Sequence, residues 1–200
     1  MEASCIILAG GKSLRLGYDK FLETVGNKSL LQRVISCVSP LSGDIILVTA
    51  RELTTLQSMD YPKLRVVTDI YPGKGPLVGI YTGLVTSISF YNLVVASDMP
   101  FLNQALLRYM IQLSTNFDIV VPRVGNLVEP LHAVYTKSCL APIEQVIKQG
   151  KLRVDKLFSL VRVRYVEAEE IERFDPKHLS FFNINTKADM EKARELAEEI

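Results

Sequence analysis

Cysteine and histidine are scarce in this 200-residue chain, with three of the first and two of the second. Cys5, Cys37 and Cys139 are odd in number and far apart, with no C-x-x-C spacing, so they form neither a disulfide framework nor a zinc motif. Cys5, inside an apolar run, reads as a small core residue. His132 and His178 make no Ser/His/Asp arrangement and no His-rich metal spacing, and a lone histidine is more often structural than catalytic. An excess of one charge is also lacking. Lys and Arg number 23 against 22 Asp and Glu, a formal net charge of +1, so no strong field attracts nucleic acid or an anionic membrane. Any anionic ligand must be held by a local site. Long apolar runs are missing too: the first, 5–9, stops at Gly10-Gly11, lacks a basic leader and is too short for a signal or membrane segment. The expectation is a cytoplasmic protein that binds neither nucleic acid nor membrane. No repeat, low-complexity stretch or linker interrupts the chain, which reads as one domain over residues 1–200.

What is present is an alternation of two kinds of segment. Short β-branched runs at 5–9, 44–49, 64–68, 92–96 and 118–121 read as buried strands. Helical spacing occupies 30–38, 76–88 and 104–113, the last with Asn103 as a candidate cap. Strands alternating with helices imply parallel pairing through right-handed crossovers, hence a layered α/β sheet. The second half is less regular: a strand or hairpin arm at 127–135, a helix at 138–148, a strand at 161–167, and a final charged helix over 186–199 opened by a Thr186/Asp189 capping pair.

Four segments carry candidate chemistry. The first, 8–20, places Gly10-Gly11 directly after a strand and adds Lys12, Arg15 and Lys20. Glycines let backbone N–H groups approach phosphate oxygens, arginine grips them as a fork and lysine acts as a point charge. A P-loop is excluded because Ile6 stands where its first glycine belongs, and the glycine spacing does not fit a dinucleotide fingerprint. The plainer alternative is a tight turn with solvated basic residues; the three cations favour phosphate. The second is Ser97-Asp98-Met99-Pro100, where Asp98 follows an apolar strand at the edge at which α/β sheets bind ligands. A carboxylate there suits Mg²⁺, although a turn aspartate before proline would look the same. In the third, 68–77, Asp69 could accept hydrogen bonds from a ribose or base and Gly75-Pro76 opens a helix, as an ordinary strand-to-helix loop also would. In the fourth, Asn183 and Asn185 alternate, so an extended backbone would turn both side chains one way, unless Asn185 or Thr186 simply caps the last helix.

In this order the four segments resemble the molybdenum cofactor guanylyltransferases, the molybdopterin-guanine dinucleotide biosynthesis protein A family. The resemblance rests on 8–20, Asp69 with 73–79, Ser97–Leu102, Glu129–Tyr135 and Asn183–Thr186, and spans nearly the whole chain. It implies a Rossmann-like three-layer α/β sandwich of the nucleotide-diphospho-sugar transferase type with a mostly parallel sheet. It further implies transfer of GMP from GTP to the terminal phosphate of molybdenum-molybdopterin. Leu8, Ala9, Gly10, Gly11, Lys20, Asp69 and Asp98 would then surround the nucleotide. Asp98 would bind Mg²⁺, Arg15, Lys20 and Asp98 would be catalytic, and Gly79, Asn183 and Asn185 would meet the acceptor. Molybdenum-insertion or molybdoenzyme chaperone proteins are the protein partners implied. The chain departs from the family at Leu16, where methionine is usual, at Ser97, where cysteine is frequent, and at Ala50-Arg51, where asparagine is common.

The chemistry to expect is in-line attack of the pterin's terminal phosphate on the α-phosphorus of GTP, with pyrophosphate leaving. A phosphate nucleophile is already ionised, so no general base is needed, in keeping with the scarcity of histidine. A CTP-dependent pterin cytidylyltransferase is the nearest alternative; that relative usually carries alanine at the position of Gly10. A non-catalytic nucleotide or cofactor carrier is a second alternative, opposed by Lys20 and Asp98 both being intact.

Overall fold

The computed structural model describes residues 3–9, 20–52 and 61–199. Its first strand, β1 (Ala3–Ala9), is buried at every residue. Such a strand has no solvent face and must lie in the middle of a sheet covered on both sides. Two short strands, β2 (Thr24–Val25) and β3 (Lys28–Ser29), make a small antiparallel hairpin. Helix α1 (Leu30–Val38) follows at once; Ser29 and Gln32 close a reciprocal capping box at its start.

The remaining elements alternate as the apolar pattern requires. They are β4 (Ser42–Thr49), β5 (Leu64–Thr68), α2 (Pro76–Thr86), β6 (Tyr91–Ala96) and α3 (Gln104–Leu113). After these come β7 (Ile119–Val124), β8 (Leu127–Val128), β9 (His132–Thr136) and α4 (Leu140–Lys148). The chain ends with β10 (Val163–Val166), a short α5 (Ala168–Ile171) and α6 (Lys187–Glu198), whose start Thr186 and Asp189 cap reciprocally. The main sheet runs β10-β7-β9-β6-β1-β4-β5, with β8 paired to β7. The pairs β1–β4, β1–β6, β4–β5 and β7–β10 are parallel, whereas β9 runs antiparallel to both of its neighbours. The sheet is therefore mostly parallel, and the 127–135 segment is two strands separated by a turn.

Alternation along the strands builds two cores. Cys5, Ile7, Ile45, Leu47, Leu93 and Val95 pack with α1 and α3 on one face. Ile6, Leu8, Ile46, Val48 and Val94 pack with α2 and α4 on the other, giving helix, sheet and helix layers. Cys5 is a free, fully buried thiol within the first core. The approach of α2 to the sheet is unusually close at Gly83, where a Cβ would sit 2.4 Å from the Ile6 side chain. Any larger residue there would push α2 off β1, so this glycine sets the position of the helix whose first turn borders the site. Helix α2 ends at Thr86, two residues before the expected Ile88. No helix among the described residues is long and apolar enough to cross a membrane.

Candidate active site

Four parallel strands end at one edge of the sheet: β1 at Ala9, β4 at Thr49, β5 at Thr68 and β6 at Ala96. Parallel strands share a direction, so the loops that follow them meet there whatever their distance in sequence. Ser97 continues beside β1 by donating its N–H to the Leu8 carbonyl at 3.1 Å. Met99 and Pro100 are buried behind it, which fixes Asp98 at the edge in a half-buried position.

The Asn183–Asn185 segment is stitched into the same place by its middle residue. Ile184 donates its N–H to the Asp98 carbonyl at 3.0 Å and accepts the Lys20 ammonium on its own carbonyl. Its side chain is fully buried in a small cluster with Val25, Leu30, Met190 and Ala193. With Ile184 turned inward, Asn183 is half-buried and Asn185 exposed; the Asn183 amide donates to the Phe181 carbonyl at 3.2 Å. The Asn185 N–H, together with that of Thr186, is taken up by Asp189 in the helix cap. Lys20 opens a single 3-10 turn, Lys20–Leu22, whose next residue, Phe21, is anchored in the core. The structure thus brings Lys20, Asp98, Asn183 and Asn185 together through one backbone unit.

Electrostatics follow from that placement. Burial pushes the Asp98 carboxyl above its ordinary range, and the nearby Lys20 charge pulls it back down. Glu129 is also raised, first by burial and then by the charge of Asp98. Two partly desolvated carboxylates with one ammonium beside them favour an added cation. Among the described residues no three His, Cys, Asp or Glu side chains converge on a metal position. A cation at Asp98 would therefore take most of its ligands from phosphate oxygens and water, which suits Mg²⁺.

A second group lies toward β5. The Asp69 N–H continues the ladder to the Thr49 carbonyl at 2.7 Å. Its Oδ1 accepts the buried Thr82 hydroxyl at 2.8 Å and the Tyr71 N–H at 3.3 Å, and the Ile70 N–H donates to Thr82 Oγ1 at 3.1 Å. One carboxylate oxygen is thus committed to holding the loop on α2. Gly79, expected at the acceptor, lies instead with this group: a Cβ there would come within 3.3 Å of Leu8 and 3.9 Å of Asp69 Oδ2. Leu8, Ala9, Asp69 and Gly79 form one side of the edge, with Asp98 next along it. Gly75 begins α2 at φ 93°, a conformation suited to glycine, and Pro76 supplies the first helical residue. Gly10, Gly11 and Arg15, with Lys12, lie outside the described residues.

Two relationships were hidden in the sequence, although Glu129 opens one of the segments that carry the resemblance. Glu129 stands in a turn where its N–H donates to Pro122 and its carbonyl accepts from His132. Only the β6–β9 register, Val95 opposite His132, brings this turn beside Asp98. The Ile184 backbone could not be identified from side-chain types at all. His132 is fully buried against the Phe181 ring, with burial pushing it down to about 4 despite the opposing charge of Asp175, so it is neutral at pH 7. That excludes it from proton transfer with a solvent-accessible substrate. His178, in a polar stretch, is half-buried with its ring edge toward Phe181.

Comparison with known proteins finds relatives along nearly the whole chain. Residues 5–164 match the family model of the MobA-like NTP transferase domain. A probable molybdenum cofactor guanylyltransferase of Pelotomaculum thermopropionicum is 39% identical over 99% of this chain and 95% of its own length. The molybdenum cofactor guanylyltransferase of Desulfosudis oleivorans is 35% identical over 94% of this chain and 92% of its own. Among solved structures, molybdopterin-guanine dinucleotide biosynthesis protein A from Archaeoglobus fulgidus superposes with a TM-score of 0.83 at 28% identity, over 98% of this chain and all of its own. The 2-C-methyl-D-erythritol 4-phosphate cytidylyltransferase of Thermus thermophilus, at 16% identity and a TM-score of 0.73 over 99% of this chain and 100% of its own, shares the fold.

Proposed function

The chain belongs to the MobA-like NTP transferase family, and from that premise we propose that it transfers GMP from GTP to the terminal phosphate of molybdenum-molybdopterin, yielding the guanine dinucleotide cofactor and pyrophosphate. The observation that carries this reading is the backbone linkage of Lys20, Ile184 and Asp98, which holds the Lys20 ammonium near enough for its charge to act on the Asp98 carboxyl at the strand ends.

Each residue then has a task. Leu8, Ala9, Gly10 and Gly11 offer backbone to the nucleotide phosphates, and Asp69, held by Thr82, lies on the same side for the nucleoside. Arg15 and Lys20 stabilise the charge that accumulates on departing pyrophosphate. Asn183 and Asn185, which flank the Ile184 link to Asp98, orient the acceptor phosphate. Gly79 keeps α2 close to Leu8 and Asp69. Asp98 would hold Mg²⁺, which when bound supplies positive charge at the α-phosphate and acceptor oxygens. The acceptor phosphate is ionised at neutral pH, so the reaction proceeds without a protein base, and neutral, buried His132 is not called upon. The enzyme works in the cytoplasm, with molybdenum-insertion or molybdoenzyme chaperone proteins as its protein partners.

The test is to follow label from the α-phosphate of GTP, CTP, ATP or UTP into the molybdenum-loaded pterin. Label entering the pterin from GTP alone is expected. Entry from CTP alone would reassign the protein as a cytidylyltransferase, and nucleotide binding without any transfer would make it a carrier.

A further inference from the structure

Beyond Asp98, on the side away from Leu8 and Asp69, the edge of the sheet is not flat. A cavity of about 220 Å³ opens there, lined by Pro122, Val124, Leu127, Glu129, His178 and Phe181. Its walls come from the end of β7, the β7–β8 hairpin and the turn before β9. The hairpin reverses at Gly125, with φ 59°, and holds Leu127 at the rim, 72% exposed. Phe181 supplies an aromatic wall, packed from behind by His132 with ring centroids 5.0 Å apart.

The sheet order decides which substrate this cavity meets. β6, which carries Asp98, separates β1, β4 and β5 from β9 and β7. Leu8, Asp69 and Gly79 belong to the first group and the cavity to the second. The two are joined at the reaction centre, because Ala96 donates its N–H to the Leu131 carbonyl at 3.0 Å and so sets the Glu129 turn against the start of the Asp98 loop. An acceptor whose phosphate lies at Asp98 has this cavity within reach of its ring system.

The chemistry of the lining is selective. Four apolar or aromatic side chains surround a half-buried carboxylate that accepts no hydrogen bond from any described residue. A desolvated carboxylate without donors is costly, and its two oxygens suit a ligand edge that presents two adjacent N–H groups. A pterin has such an edge, an amide N–H beside an exocyclic amine, on a flat ring that apolar walls accept.

We propose that this cavity seats the pterin ring of the acceptor, with Glu129 accepting hydrogen bonds from its paired N–H groups and Phe181 and Leu127 covering its faces. The assignment rests on the guanylyltransferase reading for the identity of the acceptor, but makes a separate claim about where the ring lies. Guanine carries the same N–H edge, so the test must distinguish the two rings. Binding of molybdenum-loaded pterin and of GTP is titrated separately, without turnover, on the wild type, Glu129→Gln and Leu127→Ser. Leu127 is exposed, and its replacement leaves the core intact. Both variants are expected to bind the pterin roughly tenfold more weakly, the loss of about one charged hydrogen bond in the first case, with GTP affinity within twofold of wild type. Unchanged pterin binding in Glu129→Gln, or a loss of GTP affinity instead, overturns the proposal. Label transfer by the wild type is measured alongside: its absence contradicts the function, whereas the titrations report on the cavity whether or not transfer occurs.

Discussion

Lys20 is tied to Asp98 through a single intervening residue: its ammonium binds the Ile184 carbonyl, and the Ile184 N–H binds the Asp98 carbonyl. The cation and the acid of the site are thereby positioned by backbone atoms of a segment near the end of the chain. An account based on side chains alone would treat Lys20, Asp98 and Asn183–Asn185 as independent contributors; the structure makes them one unit.

Lys20→Ala should therefore affect turnover more than nucleotide binding. The ammonium acts on charge that develops in the leaving pyrophosphate, so kcat should fall by roughly 100- to 1,000-fold with a smaller change in KM for GTP. Steady-state kinetics at saturating acceptor would show this. An unchanged kcat would remove Lys20 from leaving-group stabilisation.

Thr82 lies in α2 and acts through Asp69. Its hydroxyl donates to Asp69 Oδ1 and receives the Ile70 N–H, from a side chain 2% exposed. Thr82→Val keeps the shape, strips the Ile70 N–H of its acceptor and leaves Asp69 Oδ1 with the Tyr71 N–H alone, so stability should fall by about 1–3 kcal/mol. KM for GTP should rise while acceptor binding holds. Denaturant titration and separate KM measurements would check the two halves of this statement.

Gly83 should tolerate no larger residue. A Cβ 2.4 Å from the stiff, fully buried Ile6 side chain forces α2 outward. Gly83→Ala should destabilise the protein by roughly 1–3 kcal/mol through overpacking, despite alanine's better helix propensity. A pairing with Ile6→Val should recover part of the loss, since it removes one of the clashing methyl groups.

Acid should weaken the fold through His132. Its pKa is pushed down to about 4 inside the protein, below the unfolded value near 6.5. The neutral form is favoured by folding, so this contribution is fully present above the unfolded pKa and is lost as pH falls through about 4. The shift corresponds to about 3 kcal/mol once the ring is forced to protonate. His132→Phe should lose less stability than wild type between pH 7 and pH 4, as measured by denaturant midpoints. Equal losses would show that other groups account for the acid sensitivity.

The strands that carry the site were legible because burial on both faces leaves an unbroken apolar run, as in β1 and β6. Helices α1, α2 and α3 were legible from periodicity, with Asn103 standing where a cap belongs, and α6 from its Thr186/Asp189 capping pair. The antiparallel direction of β9 was not, since a buried strand has the same composition whichever way it runs. β2 and β3 are two residues each, and α5 is four, too short to establish a period. Asp98 and Lys20 could be singled out by type and position in their loops. Glu129 opens one of the segments that carry the resemblance, but its place beside Asp98 was not legible, because it depends on the β6–β9 register. Ile184 looked like a core residue and is one; its second role belongs to its backbone, which sequence does not distinguish.

The most direct test of the guanylyl-transfer account is pyrophosphate release from GTP in the presence of molybdenum-loaded pterin, with and without Mg²⁺, by wild type and by Asp98→Asn. The account predicts release by the wild type only with magnesium, and none by a folded Asp98→Asn protein. Equal release by both proteins, or release by the wild type without any divalent cation, would contradict the role assigned to Asp98 and with it the mechanism.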